Sequence, residues 1–425
     1  MRGKRVGRFQ YFLTATLLVI FISPNHVLYA LPFLELFPAY ICPESKPECS
    51  REDHCRDPLA FPVDWESSRS VNNLVQQLGL ECAEPYQIGM LGSSFFIGMT
   101  LFVVLITRLG DLLGRKRPAI VCQILSIPIL MGIMVSRSLY LTSALLFLFG
   151  AVTPGREHVV FTYIGELVPL RNRTLTGSIL LFADATTIGV VALYFLYVSK
   201  NWLYFQYFSL ALNVAAIFCL LKVPESPKYL HSIGRFQEAR EALARIAVIN
   251  GAAGYSSDFK FVEEVHRETE ETKVDGSLRR LVADKGHLRN LLAFAGLWVV
   301  GTFNTYLIYF QIKYMKGDFF VNIIVSCASD IVAYLLAGAL IERLGIRLSY
   351  IVSFVWCLAG ALMYMFLRSD HPHFIPVFLM VANFGNSWSV NVDWSSNCML
   401  FPVIFASSTN GICNLLARIS NIFAP

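Results

Sequence analysis

The sequence predicts an all-α polytopic membrane protein, and three observations carry that prediction. First, 55% of the residues are hydrophobic and only 15% are charged, with a mean hydropathy of +0.54. A soluble domain is about a quarter charged and interrupts its apolar runs every few residues. Second, the apolar runs reach the ~20 residues that a helix needs to cross ~30 Å of hydrocarbon. They recur along most of the chain, more apolar surface than a soluble fold can hide. Third, the basic residues collect in the short loops on one side of the expected spans, as the positive-inside rule requires. The net charge of +5 therefore marks orientation, not a nucleic-acid surface.

Eleven spans are expected, covering 9–31, 87–108, 118–137, 139–165, 174–198, 201–222, 288–311, 319–341, 349–367, 373–396 and 402–424. Arg2, Lys4, Arg5 and Arg8 precede the first. A basic start before an apolar run also fits a signal peptide, but this run is long and lacks a small-residue cleavage site before Pro32. With the N-terminus inside, Arg115-Lys116-Arg117, Arg171, Arg173, Arg343 and Arg347 all fall on the cytoplasmic side.

Two polar stretches interrupt the spans. The outer loop 32–86 holds Cys42, Cys49, Cys55 and Cys82. Thiols oxidise on that side of the membrane, so two disulfides are expected, in any of three pairings. The sequon Asn172-Arg173-Thr174 lies on the expected cytoplasmic side, away from glycosylation. The other six cysteines fall in apolar spans, where they read as small buried residues. The inner stretch 224–287 divides the spans into six and five. Within it, Phe236 to Ile246 places apolar residues at helical spacing among helix formers, an amphipathic helix at the inner membrane face.

The first inner loop reads Gly110-Asp111-Leu112-Leu113-Gly114-Arg115-Lys116-Arg117. It resembles the G-x-[L/D]-x-D-R-x-G-R-[R/K] signature between the second and third spans of major facilitator carriers. Glycine lets helix ends approach closely, and a carboxylate accepts charge-assisted hydrogen bonds. The resemblance implies that Asp111 is a latch acid at the cytoplasmic ends of the helices, with Gly110 at the close approach and Arg115 as its partner. Glu342-Arg343-Leu344-Gly345-Ile346-Arg347 is similar to a degenerate second copy, as a duplicated six-span unit predicts.

Further segments resemble the organic cation, organic anion and carnitine transporter family, or solute carrier family 22. Gly7-Arg8-Phe9-Gln10 is similar to the opening of its first span, and a long cysteine-bearing first outer loop is one of its marks. Trp202-Leu203-Tyr204-Phe205-Gln206 resembles W-R-W-L-Q, and Pro224-Glu225-Ser226-Pro227-Lys228-Tyr229-Leu230 resembles P-E-S-P-R-W-L. Sugar porters share a related P-E-S-P segment. Pro224 and Pro227 stop the sixth helix, leaving Glu225 to bridge basic residues on the inner surface. Phe161 to Glu166, followed by Arg171 and Arg173, is similar to the end of the family's fourth span, which makes Glu166 a second latch acid. Leu400-Phe401-Pro402 resembles E-L-Y-P-T, but Met399 stands where the family has glutamate and Ala406 near where it has arginine. The fold implied is the major facilitator fold, two six-helix bundles with the twelfth span missing. The division expected is 1–223 for one bundle, 224–287 for a linker and 288–425 for the other.

Charges within spans are costly and usually face a cavity. Arg418 in the eleventh span can hold a carboxylate bidentately. In the resembling family the position is arginine in anion and carnitine carriers and an acid in several cation carriers, which implies anionic or zwitterionic substrates. A lysine frequent in the eighth span of anion carriers is Tyr334 here. The competing expectation pairs Arg418 internally with Asp393 or Asp330. In the fourth span, Arg156-Glu157-His158 brings together three ionisable residues about 100° apart on a helix. Glu157 and His158 can carry protons, or Arg156 and Glu157 can satisfy each other where the cluster meets water. Asp184 and Asp330 are candidates to balance Arg418 or to contact a cationic group. Tyr194, Phe195, Tyr197, Tyr306, Tyr309, Phe310 and Tyr334 offer aromatic faces to a flat organic ion, or anchor span ends at the interface. Trp388 and Trp394 are equally open.

The substrate-contact set expected is Arg418, Glu157, Tyr334, Asp330 and Tyr306. The gating set is Asp111, Arg115, Gly110, Glu166, Arg171 and Glu225. No Walker loop and no metal-spaced His/Cys cluster occurs, so neither an enzyme nor a cofactor is expected. The function implied is alternating-access transport of a small organic ion across a lipid bilayer, expected at the plasma membrane, with a coupling ion or exchange substrate open. Two rivals remain: a carrier of sugars or other neutral solutes, and a non-transporting relative with a partner-binding role.

Overall fold

The computed structural model describes residues 7–44, 49–251, 261, 285–315, 318–367, 372–400 and 403–424. The first stretch holds α1 (Arg8–Leu28) and α2 (Leu31–Leu34), then the outer loop with α3 (Arg51–Arg56) and α4 (Leu74–Gln77). Next come α5 (Pro85–Leu113), α6 (Lys116–Val135), α7 (Leu139–Arg156), α8 (His158–Leu167), α9 (Leu170–Tyr197) and α10 (Trp202–Lys222). On the inner side follow α11 (Pro227–Ser232) and α12 (Phe236–Ile249). The second half contains α13 (Lys285–Gln311), α14 (Phe319–Leu367), α15 (Ile375–Leu400) and α16 (Val403–Asn421).

Among the described residues, nine helical segments are long and apolar enough to cross a membrane. The expected tenth and eleventh spans form α15 and α16 but are not among the nine. Their polar residues explain it: α15 buries Asn383, Asn386, Ser387, Ser389, Asn391 and Asp393. The fourth span differs from the single helix expected. It breaks at Glu157 (φ −103°, ψ −66°) into α7 and α8, three residues after Pro154 withdraws a backbone donor. Spans eight and nine run on as one element that turns at Gly345, whose φ of +75° few side chains tolerate.

The pairing left open by the four outer cysteines is Cys42 with Cys49 and Cys55 with Cys82. The stapled loop packs onto the first half. Asn73 Nδ2 donates to the Phe33 and Leu36 carbonyls at 2.8 Å each, and Lys200 Nζ donates to the carbonyls of Trp65, Glu66 and Ser67.

The apolar core is arranged unevenly across the membrane. Toward the outer face one cluster draws on both halves, from Phe33, Phe96 and Phe195 to Tyr306, Phe310, Phe319 and Phe320. Toward the inner face there are two separate clusters. One joins Phe9, Leu13, Tyr163 and Leu220 of the first half, the other Leu291, Trp298, Ile341 and Trp388 of the second. The halves thus share one core outside and keep two cores inside, which touch where Phe161 meets Trp394.

Candidate substrate cavity and its gates

Where the inner and outer cores part, a narrow cavity of about 50 Å³ lies between the halves. Its wall takes Tyr29 from α1, Glu157 from the α7–α8 break, Asp184 from α9, Trp298 and Tyr306 from α13, Tyr334 from α14, Trp394 from α15 and Arg418 from α16. The break at Glu157 matters here. It turns the acid toward the second half, where Arg418 Nη2 meets Glu157 Oε1 at 3.2 Å. Arg418 Nη1 also donates to Tyr306 Oη at 3.2 Å. This ion pair spans the two halves and is buried on both sides.

Asp184 has a different environment. Its carboxylate accepts from Asn25 Nδ2 and from Tyr29 Oη, the latter at 2.7 Å. Both partners are neutral. With Glu157 already matched to Arg418, Asp184 is the surplus charge of the wall. The surrounding rings of Tyr29, Tyr306, Tyr334, Trp298 and Trp394 can add attraction for a cation through their negative faces.

A second ion pair joins the halves toward the outer face. Lys313 Nζ lies 2.6 Å from Glu35 Oε2, and both side chains are buried. Glu35 follows α2, and Lys313 sits in the 3-10 turn after α13. Around them Phe33 packs on Phe195, Phe319 and Phe320. Arg69 of the outer loop donates to the Lys313 carbonyl at 3.0 Å, so the stapled loop touches the second half at the lock itself.

Of the residues expected at the inner gate, Asp111, Gly110 and Glu166 gather around the Arg115 side chain. Its Nη1 donates to Asp111 Oδ1 at 2.7 Å and to the Gly110 carbonyl at 2.6 Å. Its Nε and Nη2 both reach Glu166 Oε1. Burial alone lowers the Arg115 pKa, yet Glu166 and Asp111 beside it outweigh that and raise it. Gly114, at φ +95°, makes the turn between α5 and α6; a Cβ there would also collide with Glu225 Oε2. On the cavity side of this cluster a smaller pocket is lined by Thr107, Asp111, His158, Thr162 and Asn414. Asn414 also lines the central cavity, so the two spaces are neighbours.

Several expectations need correcting. Arg418 pairs with Glu157, not with Asp393 or Asp330, which hydrogen bond to Tyr350 and to Tyr309 and Ser387 respectively. Asp330 is therefore behind the cavity wall rather than on it. Arg156 and Glu157 do not satisfy each other in water. Arg156 is fully buried among Gln123, Ser23 and Asn213, on the other side of the helix break. Glu225 meets the basic loop mainly through its backbone: it caps α6, accepting from the N–H groups of Arg115 and Lys116. Of the aromatic candidates, Tyr306, Tyr334 and Trp394 reach the cavity, while Tyr197 is exposed at a helix end. The side chains of Arg171, Met399 and Ala406 lie outside the described residues.

Sequence reasoning missed Tyr29, Trp298 and Asn414 as wall residues, and the Glu35–Lys313 lock altogether. The signal for the pair was available: a glutamate and a lysine close to the outer ends of the first and seventh apolar runs.

Against this geometry, the Major Facilitator Superfamily description matches residues 65–425. The chain belongs to that superfamily. Within it, the chain is similar to the organic cation transporter 1 of Caenorhabditis elegans, at 22% identity over 85% of this chain and 62% of that protein. It is also similar to the human organic cation/carnitine transporter 2, at 23% identity over 85% of this chain and 65% of that protein. The organic ion transporter resemblance read from the motifs agrees with these matches. The chain spans under two thirds of the length of these curated relatives. The fold is that of the E. coli xylose transporter XylE. Its partially occluded inward-open form matches with a TM-score of 0.63 at 15% identity, covering 98% of this chain and 91% of that one. The form bound to 6-bromo-6-deoxy-D-glucose matches with a TM-score of 0.65, covering 87% of that chain. This superfamily member is a multi-pass membrane protein.

Proposed function

We propose that this protein is an alternating-access carrier for small organic ions that bear a cationic group, simple cations or zwitterions, at the plasma membrane. The observation that carries the reading is the charge balance of the cavity wall. An anionic or zwitterionic substrate was the expectation from Arg418. Glu157 already neutralises that arginine, so a lone anion has to displace a paired carboxylate and still faces Asp184. A cation meets Asp184 and a ring of aromatic faces instead, a setting suited to quaternary ammonium groups. A zwitterion can add a carboxylate on Arg418 in place of Glu157. A neutral sugar would leave Asp184 buried and uncompensated, which is costly.

In this reading, residues 1–223 and 288–425 rock about the cavity while 224–287 braces them. Glu35 and Lys313 close the outer side. Asp111, Gly110, Arg115, Glu166, Arg171 and Glu225 form the inner gating set, which acts as a brace of the first half rather than as a lock between the halves. Substrate contacts are Glu157, Asp184, Tyr306, Tyr334 and Arg418, with Asp330 supporting Tyr309 from behind.

The test is radiolabelled uptake into cells expressing the chain, with tetraethylammonium, carnitine, a monocarboxylate and a neutral sugar, alongside surface biotinylation. Saturable uptake of tetraethylammonium or carnitine is expected. Asp184→Ala should cut it roughly tenfold or more, the loss of one charge-assisted contact of at least ~1.4 kcal/mol. Arg418→Ala should hurt carnitine more than tetraethylammonium. Uptake of the monocarboxylate alone, indifferent to Asp184→Ala, would reverse the charge preference. Surface expression without any uptake would favour a non-transporting protein.

A further inference from the structure

Asp184, Asp330, Asp393 and Arg156 lie within the spans with no ion-pair partner among the described residues. The acids and the base differ in how they can escape that state. A carboxylate shut away from water can take up a proton and become neutral. A guanidinium keeps its proton throughout the physiological range, so its charge has to be met where it sits.

Arg156 is the last residue of α7 and is fully enclosed inside the first half. Its Nε donates to Gln123 Oε1 of α6 at 2.8 Å. Its Nη2 donates to Ser23 Oγ of α1 at 2.9 Å and to Asn213 Oδ1 of α10. The Phe149 ring centroid lies 5.2 Å from the guanidinium carbon. All of these groups are neutral, and the oxygens are already shared. Asn213 Oδ1 also accepts from Gln123 Nε2 at 2.7 Å, and Ser23 Oγ accepts from the same amide at 3.4 Å. Arg156 Nη1 carries two further N–H groups, yet it has no protein acceptor and is shut off from solvent. His26, one turn beyond Ser23 on α1, interacts with the same charge, and its Nδ1 is likewise without a partner. Glu157, next in sequence, is turned away across the helix break to Arg418. Oxygen dipoles, an aromatic face and the carboxyl end of α7 soften the positive charge without cancelling it. Nη1 thus offers spare donors and a full charge, with no carboxylate among the described residues to meet them.

We propose that Arg156 Nη1 holds a small inorganic anion of halide size, chloride in the cell, inside the first half and apart from the substrate cavity. The enclosure of the side chain between α1, α6, α7 and α10 favours a single-atom anion over a carboxylate or a phosphate ester. A halide brings the one negative charge that is missing and accepts charge-assisted hydrogen bonds from any direction. It would tie those helices together just before the break that aims Glu157 at Arg418, as a fixed part of the scaffold. The inference is independent of the substrate reading above.

The experiment needs no transport. The purified full chain in detergent is freed of chloride in gluconate buffer and titrated with chloride at constant ionic strength. Radiolabelled chloride reports binding, and tryptophan fluorescence follows thermal unfolding. Saturable binding of about one chloride per chain is expected, with the unfolding midpoint raised by several degrees, as for a ligand that binds only the folded state. Bromide should substitute for chloride. Arg156→Gln should lose both the binding and the chloride dependence of the midpoint. Arg418→Gln should keep both, which separates the site from the other buried arginine. Asn213→Asp places a carboxylate beside Nη2; it should unfold in gluconate as late as the unaltered chain does in chloride, and gain nothing from chloride. That variant tests the missing counter-charge even if Arg156→Gln fails to fold. A folded, unaltered chain that neither binds chloride nor shifts its midpoint overturns the proposal. So does a chloride dependence that survives in Asn213→Asp, or one that is lost in Arg418→Gln alone, which would place the anion in the substrate cavity.

Discussion

The outer and inner ends of this bundle are held by different kinds of contact. Outside, the ion pair of Glu35 and Lys313 crosses between the halves and is sealed from water by a cluster of aromatic rings. Inside, Arg115 gathers Asp111 and Glu166 of the first half, and Glu225 at the start of the linker caps the neighbouring helix. Asp111 is more than a third exposed, whereas Glu35 is fully buried. The difference is informative about how such a fold moves. A buried pair that spans two bodies belongs to one conformation, because separating the bodies strands both charges. A partly wet cluster within one body survives the motion and keeps that body rigid while the other swings.

The sharpest way to break this comparison is at Lys313. Lys313→Ala leaves Glu35 buried without its partner, a loss of ~3–5 kcal/mol from the outer-closed state. The open-to-closed ratio should rise about a hundredfold or more. A cysteine placed at Phe319 and probed in intact cells with an impermeant maleimide reads that ratio directly. Labelling should accelerate strongly in Lys313→Ala and largely return to the original rate in the Glu35→Ala/Lys313→Ala double variant, because no charge is then stranded. Equal labelling in all three backgrounds would mean that the pair does not hold the outer side shut.

The stapled loop sharpens the same contrast at a lower energy. Cys55 and Cys82 are 27 residues apart and Cys42 and Cys49 only 7. Loop-closure entropy assigns the longer bridge ~3.5 kcal/mol and the shorter ~2.4 kcal/mol. Removing the longer bridge with Cys55→Ser/Cys82→Ser should therefore lower thermal stability more than Cys42→Ser/Cys49→Ser. It should also loosen Arg69 from the Lys313 carbonyl and raise maleimide labelling at position 319 modestly. A larger loss from the short bridge would contradict the loop-entropy account.

Much of this architecture was legible in the chain, and the limits have physical causes. Span positions follow from apolar length and emerged to within a few residues. The inner latch was legible because its residues are close in sequence: Asp111 and Arg115 are a helical turn apart. The cavity was only half legible. Glu157 and Arg418 were singled out as charges in apolar runs, but they lie 261 residues apart and no periodicity pairs them. The deciding detail was the break after Pro154, which aims Glu157 at the second half and buries Arg156 in the first. A straight helix assigns those two directions differently. Tyr29 and Trp298 escaped notice because an aromatic residue in an apolar span looks the same whether it faces lipid, core or cavity.

The smallest expected effect lies at the inner end and probes the other half of the comparison. Arg115→Ala removes the fork that joins Asp111, the Gly110 carbonyl and Glu166. The contacts are charge-assisted but reached by water on one side, so ~2 kcal/mol of stability is the scale expected. Arg115→Lys should recover only part of it, because an ammonium cannot present a planar fork to two carboxylates and a carbonyl at once. Both variants should lower thermal stability, while maleimide labelling of the cysteine at position 319 stays at the original rate. That pairing of results is what a brace within one half predicts. If Arg115→Ala instead slowed outer labelling as strongly as Lys313→Ala speeds it, the cluster would be acting between the halves. The inner end would then be a second state-specific lock, and the contrast drawn here between the two ends would fail.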